Sequence, residues 1–228
     1  MRRLLSVTLV SLVASGLVAS ACKKSSPTTP TPTPPPEVFT TANPTGSATN
    51  LDARTSMKTP ANSGTFMFDD FVSTTAATIT RVTWQGIYCA EVLNRPAPSP
   101  TATDFEVGFY PDNNNNPNRT SPIQATVYPL ARVAETRGPD RVLNCGGIST
   151  GWSFFDYAVT LDTPFQAAAG VRYWISIQAR VPYLQANNND FIFWGWRNGV
   201  QNNGRSIQYS PTGVVTEHAL DRAYSLIR

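Results

Sequence analysis

Val171-Arg172-Tyr173-Trp174-Ile175-Ser176-Ile177-Gln178 decides the fold. Val171, Tyr173, Ile175 and Ile177 occupy alternate positions, with Arg172, Ser176 and Gln178 between them. Successive side chains of a strand point to opposite faces, so the run predicts a half-buried β-strand. Trp174 stands apart, because it lies opposite the apolar set. The same two-residue period recurs along the chain. Val82, Trp84 and Tyr88 share a face, with Arg81, Thr83 and Gln85 on the other. Phe105, Val107 and Phe109 form a further run, ended by PDNNNNPN at 111–118. Phe155, Tyr157, Val159 and Leu161 form another, ended by Thr163-Pro164, and Ile192, Trp194 and Trp196 another still. Ser206 to Tyr209 and Arg222 to Ile227 complete the set. Clusters of Asn, Gly and Pro separate these runs as turn residues do, and no segment sustains a 3.6-residue stripe. Short antiparallel strands must each bury one face, and two packed sheets achieve this. The expectation is an all-β, antiparallel β-sandwich of jelly-roll type, formed as one domain by residues 37–228.

The preceding residues have a different character. Arg2 and Arg3 are followed by an apolar run from Leu4 to Val18 and by the small residues Ala19, Ser20 and Ala21. A basic start, a short apolar core and a small-residue end make a secretory signal over residues 1–21, since the run is shorter than the roughly 20 residues a spanning helix needs. Val18-Ala19-Ser20-Ala21-Cys22 resembles the lipobox of bacterial lipoproteins, with Ala19 where that family usually carries leucine. The resemblance implies that the Cys22 thiol receives a diacylglycerol and that its freed amine is acylated, which anchors stably where a single chain does not. The alternative is an ordinary signal peptide cut near Ala21, with Cys22 left as a thiol. Residues 22–36 then form the lipidated cysteine and a Pro/Thr-rich linker, KKSSPTTPTPTPPP from Lys23 to Pro36. Its proline density forbids helix and ladder alike and predicts a disordered but extended tether, reaching some 40 Å at about 3 Å per residue.

The 18 basic and 15 acidic residues give a net charge of +3, and without Arg2 and Arg3 the remainder stands near +1. So neutral a protein has no electrostatic footprint for nucleic acid, and its one basic cluster, Lys23-Lys24, lies where lipid headgroups would be. With Cys22 acylated in an oxidising compartment, Cys89 and Cys145 remain as a disulfide pair.

The order of features in the domain resembles a class of exported bacterial β-sandwich modules. The pieces are Asp69-Asp70-Phe71, TITRVTWQGIY at 78–88, FEVGFYPD at 105–112, AVTLDTPFQAAAGVRYWISIQA at 158–179 and DRAYSLIR at 221–228. They cover most of residues 66 to 228. The resemblance implies an accessory or adhesion-type domain with no established catalytic role, and so does not by itself fix a function.

Candidate chemistry is sparse. Gly147-Ile148-Ser149-Thr150-Gly151 fits the nucleophile-elbow spacing, and His218 follows in hydrolase order, but an elbow needs a helix after it and WSFFDYAVTLD at 152–162 reads as a strand. His218 is the sole histidine, so multi-histidine metal sites are excluded and it is expected on a surface loop. The acids, Asp69, Asp70, Glu91, Asp104, Glu106, Asp156, Asp162 and Asp190, carry no spacing that pairs any two for glycoside hydrolysis, and Asp69 and Asp70 are expected at a turn or strand end, bonded to backbone amides. Asp112, Asn114 and Asn116 are weak candidates for structural calcium, since the loop offers hard oxygen ligands but only one charge, and an asparagine-rich turn is the simpler account. No other cofactor is expected.

Trp194 and Trp196 share one strand face. Core packing is one role for them; if that face is open, Trp194, Trp196 and Arg197 form a platform on which a sugar ring stacks. The function expected is therefore a lipid-anchored extracytoplasmic binding or structural module without catalysis, with a glycan or an envelope protein as partner and the outer membrane as the preferred site. The alternative is a cell-envelope hydrolase acting on glycans or esters.

Overall fold

A computed structural model describes residues 36–41, 53–58, 64–90, 102–144, 149–181, 192–200 and 203–228, with the side chains of 89–90, 139–144, 149–153 and 192–193 excepted. Among the described residues the chain forms two packed β-sheets, one short 3-10 turn at Leu130–Arg132 and no α-helix. The all-β sandwich expected from the alternation is the fold.

The first sheet is organised around β5 (Ala77–Ala90). One side of β5 pairs with β9 (Ser149–Ala167), which carries β8 (Ala134–Asn144) on its far side. The other side of β5 is shared between β14 (Tyr224–Ile227) and β11 (Ile192–Arg197), extended in turn by β1 (Glu37–Thr40) and β2 (Ala53–Thr55). The second sheet runs β13 (Val215–His218), β12 (Ser206–Tyr209), β4 (Gly64–Val72), β3 (Met57–Lys58), β10 (Arg172–Arg180), β6 (Asp104–Pro111) and β7 (Gln124–Pro129). Its neighbours are antiparallel except for the two-residue parallel contact of β3 with β10.

Residues 53–58 belong to both sheets, as a strand does when it turns a sandwich corner. Ser56 sits at the crossing and is fully buried. Its N–H donates to Trp194 O, its carbonyl accepts from Ala179 N–H, and its hydroxyl donates to Ile177 O while accepting from Met67 N–H. The serine thus satisfies backbone groups of β4 and β10 where β3 forces those strands apart.

Alternation fills the space between the sheets. Val82, Trp84, Tyr157, Val159, Trp194, Trp196 and Leu226 from the first sheet meet Phe71, Phe105, Val107, Phe109, Ile175 and Ile177 from the second. Phe105 lies at the centre, its ring centroid 4.9 Å from Tyr157 and 5.3 Å from both Trp84 and Trp194. A Cβ at Gly86 would fall 2.3 Å from the Trp194 ring, so only glycine lets that indole lie flat on β5.

Three local expectations change. Val171 precedes β10 and is exposed, because the positive φ of Gly170 closes a turn just before it. Asp69 and Asp70 lie inside β4 rather than at a turn or strand end. Asp69 does accept a backbone amide, that of Arg222, while on the other face Asp70 pairs with Arg172 at 3.3 Å and accepts from Asn203 at 2.8 Å. Finally, Ser176 and Gln178 face away from the core as read, yet both are buried. A second apolar cluster of Phe68, Tyr110, Trp174, Ile207 and Tyr209, with Phe66 packed against it, occupies that outer face.

Candidate functional site

Trp194 and Trp196 point inward and are fully buried. Their register opposite Tyr88 and Gly86 commits both to the core side of β11, where Trp194 Nε1 donates to Tyr157 at 3.3 Å and Trp196 Nε1 to Ala223 O at 3.0 Å. An open sugar-stacking platform built on them is thereby ruled out, because neither ring has a face left for a ligand. Arg197 lies on the opposite face of the strand but is also buried. Its guanidinium stacks 4.7 Å from the Phe154 ring and donates to Gln85 Oε1 at 2.8 Å.

The asparagine-rich loop is closed on itself. Asp112 Oδ1 accepts from Trp174 Nε1 at 2.8 Å and Oδ2 from Asn115 N–H at 3.2 Å, while Asn114 and Asn115 take positive φ angles of 53° and 61°. Arg172 and Arg205 both reach Asn115. Of the calcium candidates Asp112, Asn114 and Asn116, Asp112 has both carboxylate oxygens engaged by protein donors, and two guanidinium groups lie on the same loop. Among the described residues no group of three or more His, Cys, Asp or Glu side chains is placed to hold a metal.

Ser149 begins β9, so the chain there is a strand rather than the strand–turn–helix of a nucleophile elbow. His218 is in β13 instead of a loop, with Nε2 3.3 Å from Gln208 Oε1. Burial, with Arg222 and Arg54 adding like charge, pushes it down to about 4. Cys22 and Cys145 lie outside the described residues, as does the side chain of Cys89, whose backbone is part of β5.

The surface that does gather polar side chains is the outer face of the first sheet. Register across β5, β9 and β8 places Thr83, Ala158 and Ala134 in one row and Gln85, Asp156 and Thr136 in the next. Arg81, opposite Thr160, closes one end. Two adjacent alanines between longer neighbours leave a depression of about 270 Å³, lined by Arg81, Thr83, Gln85, Ala134, Thr136, Asp156 and Ala158. Trp84 and Tyr157 also border it, but their rings belong to the core behind.

Gln85 organises the groove. Because its Oε1 accepts from Arg197, its Nε2 must face Asp156, and it donates to Asp156 Oδ1 at 2.7 Å. The buried arginine therefore fixes the amide, and the amide fixes the carboxylate, leaving Asp156 Oδ2 for a ligand. Preorganisation of this kind lowers the ordering cost of binding. A second depression, lined by Ala76, Ala77, Thr78, Gln166, Ala167 and Ala168, offers less, since Thr78 and Gln166 are bonded to each other at 2.8 Å.

Sequence reasoning placed Arg81, Thr83 and Gln85 outward and named Asp156 only among acids that no spacing pairs; it did not single out Gln85, Thr136 or the two alanines. A signal existed in the alternation of Asp156 and Ala158 with Tyr157 and Val159. The pairing of β8 with β9, which completes the groove, leaves no such mark.

Fold and site together define a β-sandwich with a shallow polar groove on one outer face. The family model described as Domain of unknown function (DUF7901) matches residues 35–217, and the chain belongs to that family. No curated protein and no solved structure matches it.

Proposed function

We propose that this chain is a lipid-anchored, extracytoplasmic binding module, held to a bacterial membrane through Cys22 and displaying its sandwich at the end of the proline-rich tether, with no catalysis of its own. The observation that carries this reading is the order of three segments: an export-type apolar run, Cys22 directly after small residues, and a proline-rich stretch ending where the family match begins. Several acyl chains on one cysteine provide stable anchoring, and Lys23-Lys24 add attraction to anionic headgroups. Lys23, rather than aspartate, follows the cysteine, which favours the outer membrane where the host has two. The groove of Gln85 and Asp156 supports binding as the activity, because it is preorganised and open.

The test is metabolic labelling of the full chain with an alkynyl fatty acid. Label is expected on the wild-type protein and absent from Cys22→Ala. Equal labelling of both would overturn the anchor.

A further inference from the structure

We infer that the groove on the outer face of the first sheet is the seat of a short, uncharged glycan segment lying along β5; this rests on the reading of the chain as a binding module. The chemistry of the walls points there. Thr83 and Thr136 offer hydroxyls that both donate and accept, Asp156 Oδ2 accepts, and Arg81 donates. Adjacent sugar hydroxyls, each a donor and an acceptor, match that mixture better than a ligand of single sign. The floor is different: Ala134 and Ala158 present methyl groups side by side. A pyranose ring has this same division, with an apolar C–H face and a polar hydroxyl edge.

Size and spacing narrow the ligand further. At about 270 Å³ the groove falls just below the roughly 300–1,000 Å³ of pockets that enclose a drug-sized molecule, so it suits one end or one stretch of an oligosaccharide rather than a large cofactor. Arg81 and Gln85 stand four positions apart on β5, about 13 Å along a strand. Arg81 and the Gln85–Asp156 row thus mark opposite ends of the site. A free amino acid, whose ammonium and carboxylate share one carbon, does not bridge ends so far apart. A glycan running over the alanines between them does.

The test uses the full chain in detergent on a printed panel of neutral oligosaccharides, with alanyl-alanine titrated in solution as the zwitterionic competitor. Binding to one or more oligosaccharides is expected, at least about tenfold weaker in Ala158→Leu, which fills the floor, and in Asp156→Ala, which removes the fixed acceptor. Val127→Ala, at an exposed position of β7 in the second sheet, serves as the control and keeps wild-type binding. Unfolding midpoints of all variants are compared, and loss of binding counts only in those that stay folded; Thr136→Ala provides a milder probe should Ala158→Leu unfold. Glycan binding that survives both groove substitutions would overturn this seat while leaving the binding module standing. Binding of the dipeptide without any oligosaccharide would overturn the ligand class. Silence toward every probe would overturn the inference and count against the binding reading, whereas the fatty-acid label tests the anchor independently of all three outcomes.

Discussion

The two outer faces of the sandwich obey the same alternation and are built oppositely. On the first sheet the outward positions of β5, β9 and β8 carry Thr83, Gln85, Thr136, Asp156 and two alanines, and the result is an open groove. On the second sheet the outward positions of β4, β6, β10 and β12 carry Phe66, Phe68, Tyr110, Trp174, Ile207 and Tyr209. There Arg119 stacks 4.0 Å from the Tyr209 ring and Arg205 5.3 Å from Trp174, and Asp112 takes the indole N–H. The 112–119 loop and Arg205 thus cap a small second core, while the other face is left available. An outward position is therefore not an exposed one. What decides is whether a loop from elsewhere in the chain folds over it.

The largest consequence of that difference is energetic. Trp174→Ala is expected to cost about 3–5 kcal/mol, as for a tryptophan removed from a true core, although Trp174 faces away from the space between the sheets. Thr136→Ala, at an outward position of the first sheet, is expected to change stability by no more than about 0.5 kcal/mol. Chemical denaturation of the two variants measures the contrast directly. A cost under about 1 kcal/mol for Trp174→Ala would mean that the loop and its arginines cover the indole without packing on it.

Next in size is Arg197, the one place among the described residues where the first sheet buries a charge on its outer face. Arg197→Ala removes a charged hydrogen bond to Gln85, worth about 1.5–3 kcal/mol, and a stacking contact with Phe154. The expected destabilisation is about 2–3 kcal/mol. Arg197→Lys keeps the charge but loses the planar stack and the fork, so it should restore less than half of that. Full rescue by lysine would show that charge alone, and not the guanidinium geometry, holds Gln85 in place.

Legibility in the sequence followed from the same physics. Runs such as Val82-Trp84 and Phe105-Val107-Phe109 declared themselves because one face is apolar and the other polar. β4 was hidden because Asp69-Asp70 interrupts an aromatic run, and those carboxylates are there to receive the C-terminal segment, through Arg222 N–H and Asn203. The shared face of Trp194 and Trp196 was legible, but not that it points inward, since the period of a strand gives two faces without saying which is covered. β10 posed the same difficulty: Ser176 and Gln178 were correctly placed opposite Ile175 and Ile177, yet what buries them comes from β4, β6 and β12. The groove depended on strand register across residues far apart in sequence, which alternation within one strand does not encode.

The smallest effect concerns two titrating groups, Asp69 and His218, on the inner side of the second sheet, opposite its capped face. Burial pushes Asp69 well above its ordinary 3.8, reinforced by Asp221 and Asp70 and opposed by the Arg222 N–H and charge. A carboxyl raised in the folded state contributes stability that is present below pH 3.8 and lost as pH rises above it. His218 works the other way: held down to about 4 from 6.5, it contributes stability that is present above pH 6.5 and lost as pH falls toward 4. Acidification from pH 6.5 to 4 therefore sets a loss from His218 against a gain from Asp69, and the wild-type unfolding midpoint reports only their difference. The variants should separate the two. His218→Gln is expected to become more stable, relative to wild type, as pH falls from 6.5 to 4, because only the Asp69 gain remains. Asp69→Asn is expected to show the reverse trend, with the His218 loss exposed. Parallel pH profiles for the wild type and both variants would mean that neither group keeps its buried environment in solution, and that the inner side of the second sheet opens beside β12 and β13.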